Sequence, residues 1–252
     1  MSMTTTGDLR QGLVTALRFY KAFGFERLPL FIEKGGTFSA VSSTLSPAEK
    51  ETALLELRRE IGDCRRCGLA GDRKNIVFGA GRSDARIMFI GEAPGAEEDR
   101  QGEPFVGDAG QILTSLINKM GQEKGFSFTR EDVYITNIVK CRPPINRDPR
   151  EEEITACLPF LKRQIETISP EVIISLGKVS AHTLLEISVP ISSFSISRTR
   201  GRFYEFTSAH RPIPVMPTFH PAYFLRNPGE KRKTWDDAMA VLEKLKETGR
   251  VR

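Results

Sequence analysis

Long hydrophobic runs are absent from the sequence, and this excludes a membrane-spanning helix of the usual kind. No stretch of about 18 consecutive apolar residues occurs anywhere in the chain. The first residues, MSMTTTGDLRQG, do not combine a basic start with a long apolar segment, so a secretory leader is not expected. These two absences predict a cytoplasmic, intracellular protein with no membrane association.

Charge of one sign is not in large excess. The formal net charge is +5 and the isoelectric point is near 9.1, which permits a polyanionic partner without requiring one. Hydrophobic residues make up 39% and charged residues 27%, as in an ordinary soluble domain. The basic residues cluster in four segments, and together these favour a nucleic-acid-binding groove. The segments are CRRC (64–67), KCRPPINRDPR (140–150), SRTRGR (197–202) and RNPGEKRK (226–233).

The sequence pattern divides the chain into an N-terminal extension, residues 1–45, and a main domain, residues 46–252. The extension contains one amphipathic helical pattern that Asp8 could cap, followed by the linker-like segment GGTFSAVSS. Ser46-Pro47-Ala48-Glu49 then combines a capping box with a proline at the first helical position, so a helix is predicted to begin there. Gly62 is the predicted stop of that helix.

Beyond residue 62, short apolar strands alternate with helical patterns. Alternation of this kind predicts an α/β fold: a three-layer α/β/α sandwich with a central, mainly parallel four-stranded sheet. A hairpin is predicted around GRFYEF (201–206) and a long helix near the end of the chain. The four predicted strands are ARIMFI (85–90), VYITNIV (133–139), EVIISLG (171–177) and PVMPT (214–218).

Polar residues follow the predicted strands at the points where ligands bind in open parallel sheets. Gly91 and Glu92 follow the first strand, Asn137 lies near the end of the second, and His220 follows the fourth. Because the carboxyl ends of parallel strands meet at one edge, a carboxylate, an amide and an imidazole are expected to converge there. The nearby acids Glu97, Glu98 and Asp99 are expected to be solvated loop residues.

Cysteine is scarce, but its four positions form a pattern. Cys64 and Cys67 lie in a polar CxxC segment, and Cys141 and Cys157 follow at a wide spacing. Structural disulfides are not expected in a reducing compartment, which leaves tetrahedral metal ligation as the leading interpretation. Four thiolates suit either zinc or an iron–sulfur cluster. A zinc ribbon usually has a second close CxxC pair, so the wide spacing favours a [4Fe–4S] cluster over zinc.

Several motifs occur together and in order. They are GEAPG (91–95), PFVG (104–107), TNIVKCRPP (136–144) and HPAYFLR (220–226), accompanied by the four cysteines. In these motifs, residues 46–246 resemble the family 4, iron–sulfur uracil-DNA glycosylases. The resemblance implies a uracil-DNA glycosylase fold, a [4Fe–4S] cluster on the four cysteines, and uracil-containing DNA as the partner of a monomeric enzyme.

The resemblance also implies a role for each matched residue. Glu92 would stabilise the sugar cation and orient the attacking water. Asn137 would pair with the edge of uracil and reject cytosine, and His220 would donate to the uracil carbonyl that gathers negative charge. The remaining expected substrate-binding residues are Gly91, Ala93, Phe105 as the stacking aromatic, Leu225 as the residue that fills the gap left by the flipped base, and Arg226 as a phosphate contact.

The predicted activity is hydrolysis of the N-glycosidic bond of deoxyuridine in single- and double-stranded DNA. Free uracil and an abasic site are the products, and the strand stays intact because no lysine is clearly placed for Schiff-base chemistry. Turnover is expected because KCRPPINRDPR contains no histidine that could trap the sugar. Two alternatives remain open: a non-catalytic iron–sulfur or zinc nucleic-acid-binding protein, and a hydrolase of free nucleotides on the same fold.

Overall fold

The computed structural model describes residues 45–247. The predicted extension, residues 1–45, therefore lies outside the described residues except for its last position. No helix within 45–247 combines the length and the apolar character that crossing a membrane requires.

A six-stranded sheet lies at the centre of the described residues, in the order β1-β3-β2-β4-β6-β5. The inner strands β3, β2, β4 and β6 are parallel, as predicted. Two short antiparallel strands, β1 and β5, lie at the edges and were not part of the predicted four-stranded sheet. The strands are β1 (Ala80–Gly81), β2 (Ile87–Gly91), β3 (Tyr134–Asn137), β4 (Val172–Leu176), β5 (Tyr204–Phe206) and β6 (Ile213–Thr218).

The two edge strands differ in how readily the sequence predicts them. β5 is the predicted hairpin partner of β6, with Phe206 opposite Ile213. β1 has only two residues, too few for a periodic signal, and it depends on a close approach of two backbones. A Cβ on Gly81 would lie 1.8 Å from the Val133 carbonyl oxygen, so a glycine is required there.

The five longer helices of the described residues lie where the sequence predicts helical segments, whereas three short helices, at residues 96–101, 196–199 and 223–226, were not predicted. The helices are α1 (Pro47–Ile61), α2 (Ala96–Gln101), α3 (Asp108–Gly121), α4 (Glu151–Ile168), α5 (Lys178–Leu184), α6 (Ile196–Thr199), α7 (Tyr223–Arg226) and α8 (Lys231–Glu247). The predicted capping box is present: the Glu49 N–H donates to Ser46 Oγ at 3.3 Å, and the Ser46 N–H donates to Glu49 Oε2 at 2.8 Å. Gly62 ends α1 in a positive-φ conformation.

Alternating strand residues divide the core into two layers. Met88 and Ile90 of β2 pack with α1, α4 and α5 on one face of the sheet, whereas Ile87 and Phe89 pack with α3 and α8 on the other. Because β2 is covered on both faces, every one of its residues is buried. This arrangement confirms the α/β/α sandwich.

The strand register brings the ends of the parallel strands together. Gly91 of β2 pairs with Asn137 of β3, and Leu176 of β4 pairs with Thr218 of β6. Two more hydrogen bonds continue past the end of β3, from the Ile138 N–H to the Gly91 carbonyl and from the Val139 N–H to the Glu92 carbonyl. The residues that follow these strands therefore share one edge of the sheet.

Candidate active site

A cavity of about 670 Å³ lies at the carboxyl edge of the parallel strands. Its size suits a nucleoside-sized ligand together with part of a backbone. Glu92, Asn137 and His220, which the sequence analysis placed on three different strand ends, all line it. The cavity is also lined by Ala93, Phe105, Asp148, Lys178, Tyr223 and Arg226.

Glu92 is a carboxyl group in a partly enclosed, charged environment. Burial and, to a smaller extent, the nearby Asp148 carboxylate raise the pKa of Glu92 to about 7, although the Lys178 ammonium opposes this shift. A carboxyl group with a pKa near neutrality changes its charge within the physiological range. Such a group can serve as a carboxylate that stabilises a cation or accepts a proton from water.

Asn137 ends β3 and is only 1% exposed, yet its Oδ1 has no hydrogen-bond partner. An unsatisfied buried amide oxygen costs about 1–3 kcal/mol, so a partner from a ligand would recover that free energy. The amide lies against Gly91, where a Cβ would be 2.4 Å from Oδ1 and 2.5 Å from Phe105 Cζ. Gly91 thus contributes by the space that its missing side chain leaves.

His220 is held in one protonation state by its surroundings. Burial lowers the pKa of His220 to about 4, so the imidazole is neutral at pH 7. The Ala222 N–H donates to Nδ1 at 3.2 Å, which leaves the ring proton on Nε2. Gly177, in a positive-φ conformation, allows the close approach: its Cβ would lie 2.9 Å from His220 Cβ. The ring can therefore donate one hydrogen bond from Nε2.

Phe105 places an aromatic ring beside the imidazole. It is 6% exposed, with its ring centroid 5.6 Å from that of His220 and the two planes inclined by 34°. The backbone of Phe105 has φ +52°, an unusual conformation for a non-glycine residue. A Cβ on Gly110 would lie 2.0 Å from the Phe105 carbonyl oxygen, so the start of α3 fits tightly against this loop.

The prediction that Glu98 and Asp99 are solvated is wrong. Glu98 is 9% exposed, and its carboxylate accepts hydrogen bonds from the backbone N–H groups of Gly95, Val106 and Gly107. Asp99 is 2% exposed and accepts from the backbone of residues 74 and 75. Only Glu97 is exposed as predicted. Glu98 therefore ties the GEAPG segment to the loop that carries Phe105. Its position three residues after Gly95, typical of a capping box, was the available signal.

Leu225 and Arg226 lie on the short helix α7. Arg226 lines the cavity, whereas Leu225 is not among its lining residues and is 53% exposed. The ring of Tyr223 stacks on that of Phe219 with centroids 4.9 Å apart, and this contact packs α7 against the end of β6. The predicted contacts of Leu225 and Arg226 with DNA stay predictions.

Two charged residues of the cavity were missed by the sequence analysis. Asp148 lies in a segment that looked simply basic, where its single carboxylate was overlooked. Lys178 directly follows Gly177 at the end of β4, so the same strand-end rule that found Glu92 would have found it. Both act electrostatically on Glu92.

The four cysteines come from three segments that lie close enough beside the sheet for their thiols to interact electrostatically. Cys67 packs against the core cluster that contains Cys141 and Cys157, while Cys64 packs against the neighbouring cluster of α1. Cys141 interacts electrostatically with each of the other three. The Lys140 N–H donates to Cys157 Sγ at 3.3 Å, and Arg66 Nη1 lies 3.3 Å from Cys64 Sγ. Donors directed at sulfur stabilise thiolates, so the donor set fits a metal-bound thiolate site.

The arrangement of these thiols bears on the kind of metal group. One zinc ion holds sulfur atoms at about 2.3 Å each, which brings the sulfurs within roughly 4 Å of one another. Within residues 45–247, no three His, Cys, Asp or Glu side chains are grouped so as to hold a single metal ion. The preference for an iron–sulfur cluster over zinc therefore rests on the spacing of the cysteines in the sequence, not on the geometry of the thiols.

Comparison with known proteins agrees with this geometry. The family model described as the uracil DNA glycosylase superfamily matches residues 78–242, which include the cavity and two of the four cysteines. The chain therefore belongs to the uracil DNA glycosylase superfamily.

Within the superfamily, the chain belongs with the type-4 uracil-DNA glycosylases. It is 49% identical to the type-4 uracil-DNA glycosylase of Saccharolobus solfataricus over 186 residues, covering 74% of this chain and 83% of the relative. It is 46% identical to that of Thermotoga maritima, covering 69% and 84%. It is 42% identical to that of Sulfurisphaera tokodaii, covering 76% and 84%. The resemblance inferred from the motifs is confirmed.

Proposed function

We propose that this DNA-repair glycosylase hydrolyses the N-glycosidic bond of deoxyuridine in DNA, releases free uracil and leaves an abasic site. The observation that carries the proposal is the cavity at the sheet edge, where Glu92, Asn137 and His220 face one space. Each of the three supplies a different chemistry, and the reaction needs all three.

Recognition of the base rests on Asn137 and Phe105. The Asn137 amide can accept from the ring N–H of uracil and donate to a carbonyl oxygen. Cytosine has no proton at that ring nitrogen and carries an amino group in place of the carbonyl, so both contacts would be left unpaired. The ring of Phe105 offers a face to the extruded base, a contact worth about 1–3 kcal/mol. Gly91 and Ala93 leave space for the base beside these groups.

Bond cleavage separates charge between the base and the sugar. As the bond between N1 and C1′ breaks, its electron pair stays with uracil, and the Nε2–H of His220 donates to the carbonyl oxygen that gains negative charge. The Glu92 carboxylate stabilises the sugar cation and orients a water molecule toward C1′. That water gives its hydroxyl group to C1′ and one proton to Glu92 or solvent, and the departed uracil anion takes up a proton from solvent, which completes the hydrolysis.

Binding of DNA places the nucleotide in the cavity. Arg226 contacts a phosphate, and Leu225 fills the gap that the extruded nucleotide leaves in a duplex. Because extrusion costs a few kcal/mol from a paired helix and less from a mismatch, uracil opposite guanine should be removed faster than uracil opposite adenine. Single strands need no extrusion and are substrates as well. We infer that the enzyme acts inside the cell as a monomer on DNA, with no membrane partner.

We further propose that Cys64, Cys67, Cys141 and Cys157 hold a [4Fe–4S] cluster, with zinc as the alternative. The cluster would supply a covalent tie between the loop after α1, the segment after β3 and α4, because metal ligation contributes directly to folding free energy. The segment from Asn137 to Cys141 links this tie to the base-recognition site. Apart from the cluster, packing and the backbone hydrogen bonds of β3 hold Asn137 in position.

The strand is proposed to stay intact after base release. The cavity does contain one lysine, Lys178, which the sequence analysis had not singled out. Its ammonium lowers the pKa of Glu92 and so opposes the effects of burial and of Asp148, and we assign it an electrostatic role. Borohydride treatment during turnover should give no covalent enzyme–DNA adduct. A trapped adduct that Lys178→Ala abolishes would contradict this point.

The direct test is uracil release from a uracil-containing oligonucleotide by the purified, metal-replete protein. Glu92→Gln and Asn137→Ala should each lower the single-turnover rate by on the order of 10²-fold, as expected when an electrostatic stabiliser is removed. Glu97→Gln and Asn118→Ala are matched controls at exposed positions and should leave the rate unchanged. Normal rates in both site variants would refute the site assignment.

The same assay separates the alternatives. If the wild-type protein binds DNA but releases no base, it is a non-catalytic nucleic-acid-binding protein. If it releases uracil from deoxyuridine monophosphate but not from DNA, it is a hydrolase of free nucleotides.

A further inference from the structure

Ile145 is the most exposed large hydrophobic residue among the described residues, with 93% of its surface accessible. Its backbone has φ +51° and ψ +23°, in the left-handed region. A β-branched residue is a genuine outlier in that conformation because its Cβ crowds the backbone. The position therefore combines two unfavourable features, an exposed apolar side chain and a strained backbone. Strain of this kind persists where the surrounding structure enforces it, and it clusters at functional sites.

The loop that carries Ile145 is firmly built. The Asn146 N–H donates to the Pro143 carbonyl at 3.1 Å, the Arg147 N–H donates to the Pro144 carbonyl at 3.2 Å, and Arg142 Nε donates to Asn146 Oδ1 at 2.7 Å. These bonds close a tight turn on both sides of Ile145, with two prolines restricting the approach. The side chain is thus held outward by a rigid turn.

The base of the loop is fastened to α4. Arg147 makes a bidentate ion pair with Glu153, with distances of 2.6 and 2.8 Å, and the Glu153 side chain is only 3% exposed. Glu153 also accepts from the Arg150 backbone N–H at 2.8 Å. Cys141, immediately before the loop, is buried against the core. Both ends of the loop are therefore anchored.

The loop forms part of the rim of the catalytic cavity. Pro143, Asn146, Arg147 and Asp148 line it, so the residues on both sides of Ile145 face the space where the nucleotide is bound. Leu225, the other strongly exposed apolar residue beside this cavity, comes from α7 next to the cavity-lining Arg226. Two separate segments thus present an isolated aliphatic side chain at the same rim.

The charges around Ile145 indicate what it meets. Arg142 and Arg150 lie within five residues of it, and Arg226 is on the same rim. Arg147 is neutralised by its ion pair with Glu153, and Asp148 is the one acid within five residues. A polyanion with an apolar interior matches this combination of cations around one aliphatic side chain, and duplex DNA is such a molecule. Apolar wedges, including isoleucine, enter between base pairs and partly unstack them, while the surrounding arginines contact phosphates.

We propose that Ile145 is a second DNA wedge, which inserts between base pairs beside the uracil and unstacks them so that the nucleotide can leave the helix. The inference rests on the proposed removal of uracil from DNA. The wedge differs from the proposed action of Leu225, which occupies the gap after extrusion. It contributes only where bases are stacked and paired, so a single strand should not need it.

Ile145→Gly is the most informative variant because glycine adopts positive φ without strain. It removes the side chain and should leave the melting temperature equal to or higher than that of the wild type. On a duplex with uracil opposite adenine, the single-turnover rate at saturating enzyme should fall on the order of tenfold. On the same sequence as a single strand, it should change less than about twofold, since no unstacking is required.

Leu55→Ala is the matched control, a truncation of a 46% exposed aliphatic residue on α1 that does not line the cavity. It should change neither rate. A fluorescent adenine analogue next to the uracil gives a second readout: unstacking by wild-type protein should raise its fluorescence in a duplex, and Ile145→Gly should reduce that rise. If Ile145→Gly changed the single-turnover rates on duplex and single strand equally, or changed neither, the proposal that Ile145 is a wedge would be wrong.

The outcomes also separate this inference from the proposed function. If the wild-type protein releases no uracil from any DNA, the proposed function fails. If it releases uracil and Ile145→Gly matches it on duplex DNA, only the wedge fails. In that case, Ile145 would be a site for a protein partner or an unused exposed side chain.

Discussion

Replacing Gly91 with alanine tests whether the site is assembled as the structure describes. Gly91 lies at the end of β2, and its Cα faces two of the groups assigned to base recognition. An alanine Cβ would stand 2.4 Å from Asn137 Oδ1 and 2.5 Å from Phe105 Cζ. The backbone of Gly91 has no positive φ, so the substitution acts through space alone.

The size of the effect follows from these distances. Ordinary contacts of a Cβ with heavy atoms begin at 3.4 Å, so the amide and the ring must each retreat by about 1 Å. A displacement of about 1 Å at a catalytic group can cost on the order of 10²-fold in rate. Overpacking of this kind also lowers the free energy of unfolding by about 1–3 kcal/mol, too little to unfold most domains.

Single-turnover uracil release from an oligonucleotide measures the catalytic loss, and thermal unfolding measures the stability loss. We expect the single-turnover rate of Gly91→Ala to fall on the order of 10²-fold at a temperature where the variant is fully folded. Gly229→Ala is the control, because nothing lies within 4 Å of its added Cβ. If folded Gly91→Ala retained wild-type activity, the proposed contact of Asn137 and Phe105 with the base would be wrong.

Three further predictions concern charge and metal. Because the pKa of Glu92 is raised to about 7, its carboxylate fraction in the free enzyme grows as pH rises, so kcat/KM should increase about tenfold per unit below pH 7 and level off above it. The pH profile of Glu92→Gln should lack this increase. If the variant showed the same rise of kcat/KM with pH as the wild type, the titrating group would be a residue other than Glu92. Glu98→Gln should lower the free energy of unfolding by about 1–3 kcal/mol and raise KM, because three backbone N–H groups lose their carboxylate partner; Glu97→Gln, measured by the same calorimetry and kinetics, should do neither. Cys141→Ser should lose iron and acid-labile sulfide together with part of its thermal stability, whereas zinc in the wild-type protein would contradict the cluster.

The main elements of the fold could be predicted because their signals are local. A capping box at Ser46 and a proline before three glutamates at residue 151 mark helix starts through contacts within one turn. Apolar runs of four to seven residues mark the buried parallel strands. The short strand β1 could not be predicted, because a two-residue strand depends on a neighbour that the local sequence does not specify.

The candidate site was partly predictable for the same reason. The strand-end rule identified Glu92, Asn137 and His220, and the structure places all three on one cavity. It did not identify Asp148, which lies in a loop, and the burial of Glu98 was predicted wrongly. Whether an acid is solvated depends on which backbone N–H groups approach it from other segments, and Glu98 meets those of residues 106 and 107.

Local patterns were enough to predict the alternation of the longer strands and helices, the family and the residue types at the strand ends, since each of these depends on neighbours along the chain or on whole motifs. Three features appear only when the chain is folded: the near-neutral pKa of Glu92, the Nε2-protonated state of His220 and the outward, strained Ile145. Burial, electrostatic pairing and backbone strain are set by segments that meet in space. Residues far apart in the sequence therefore decide what each strand-end group can do.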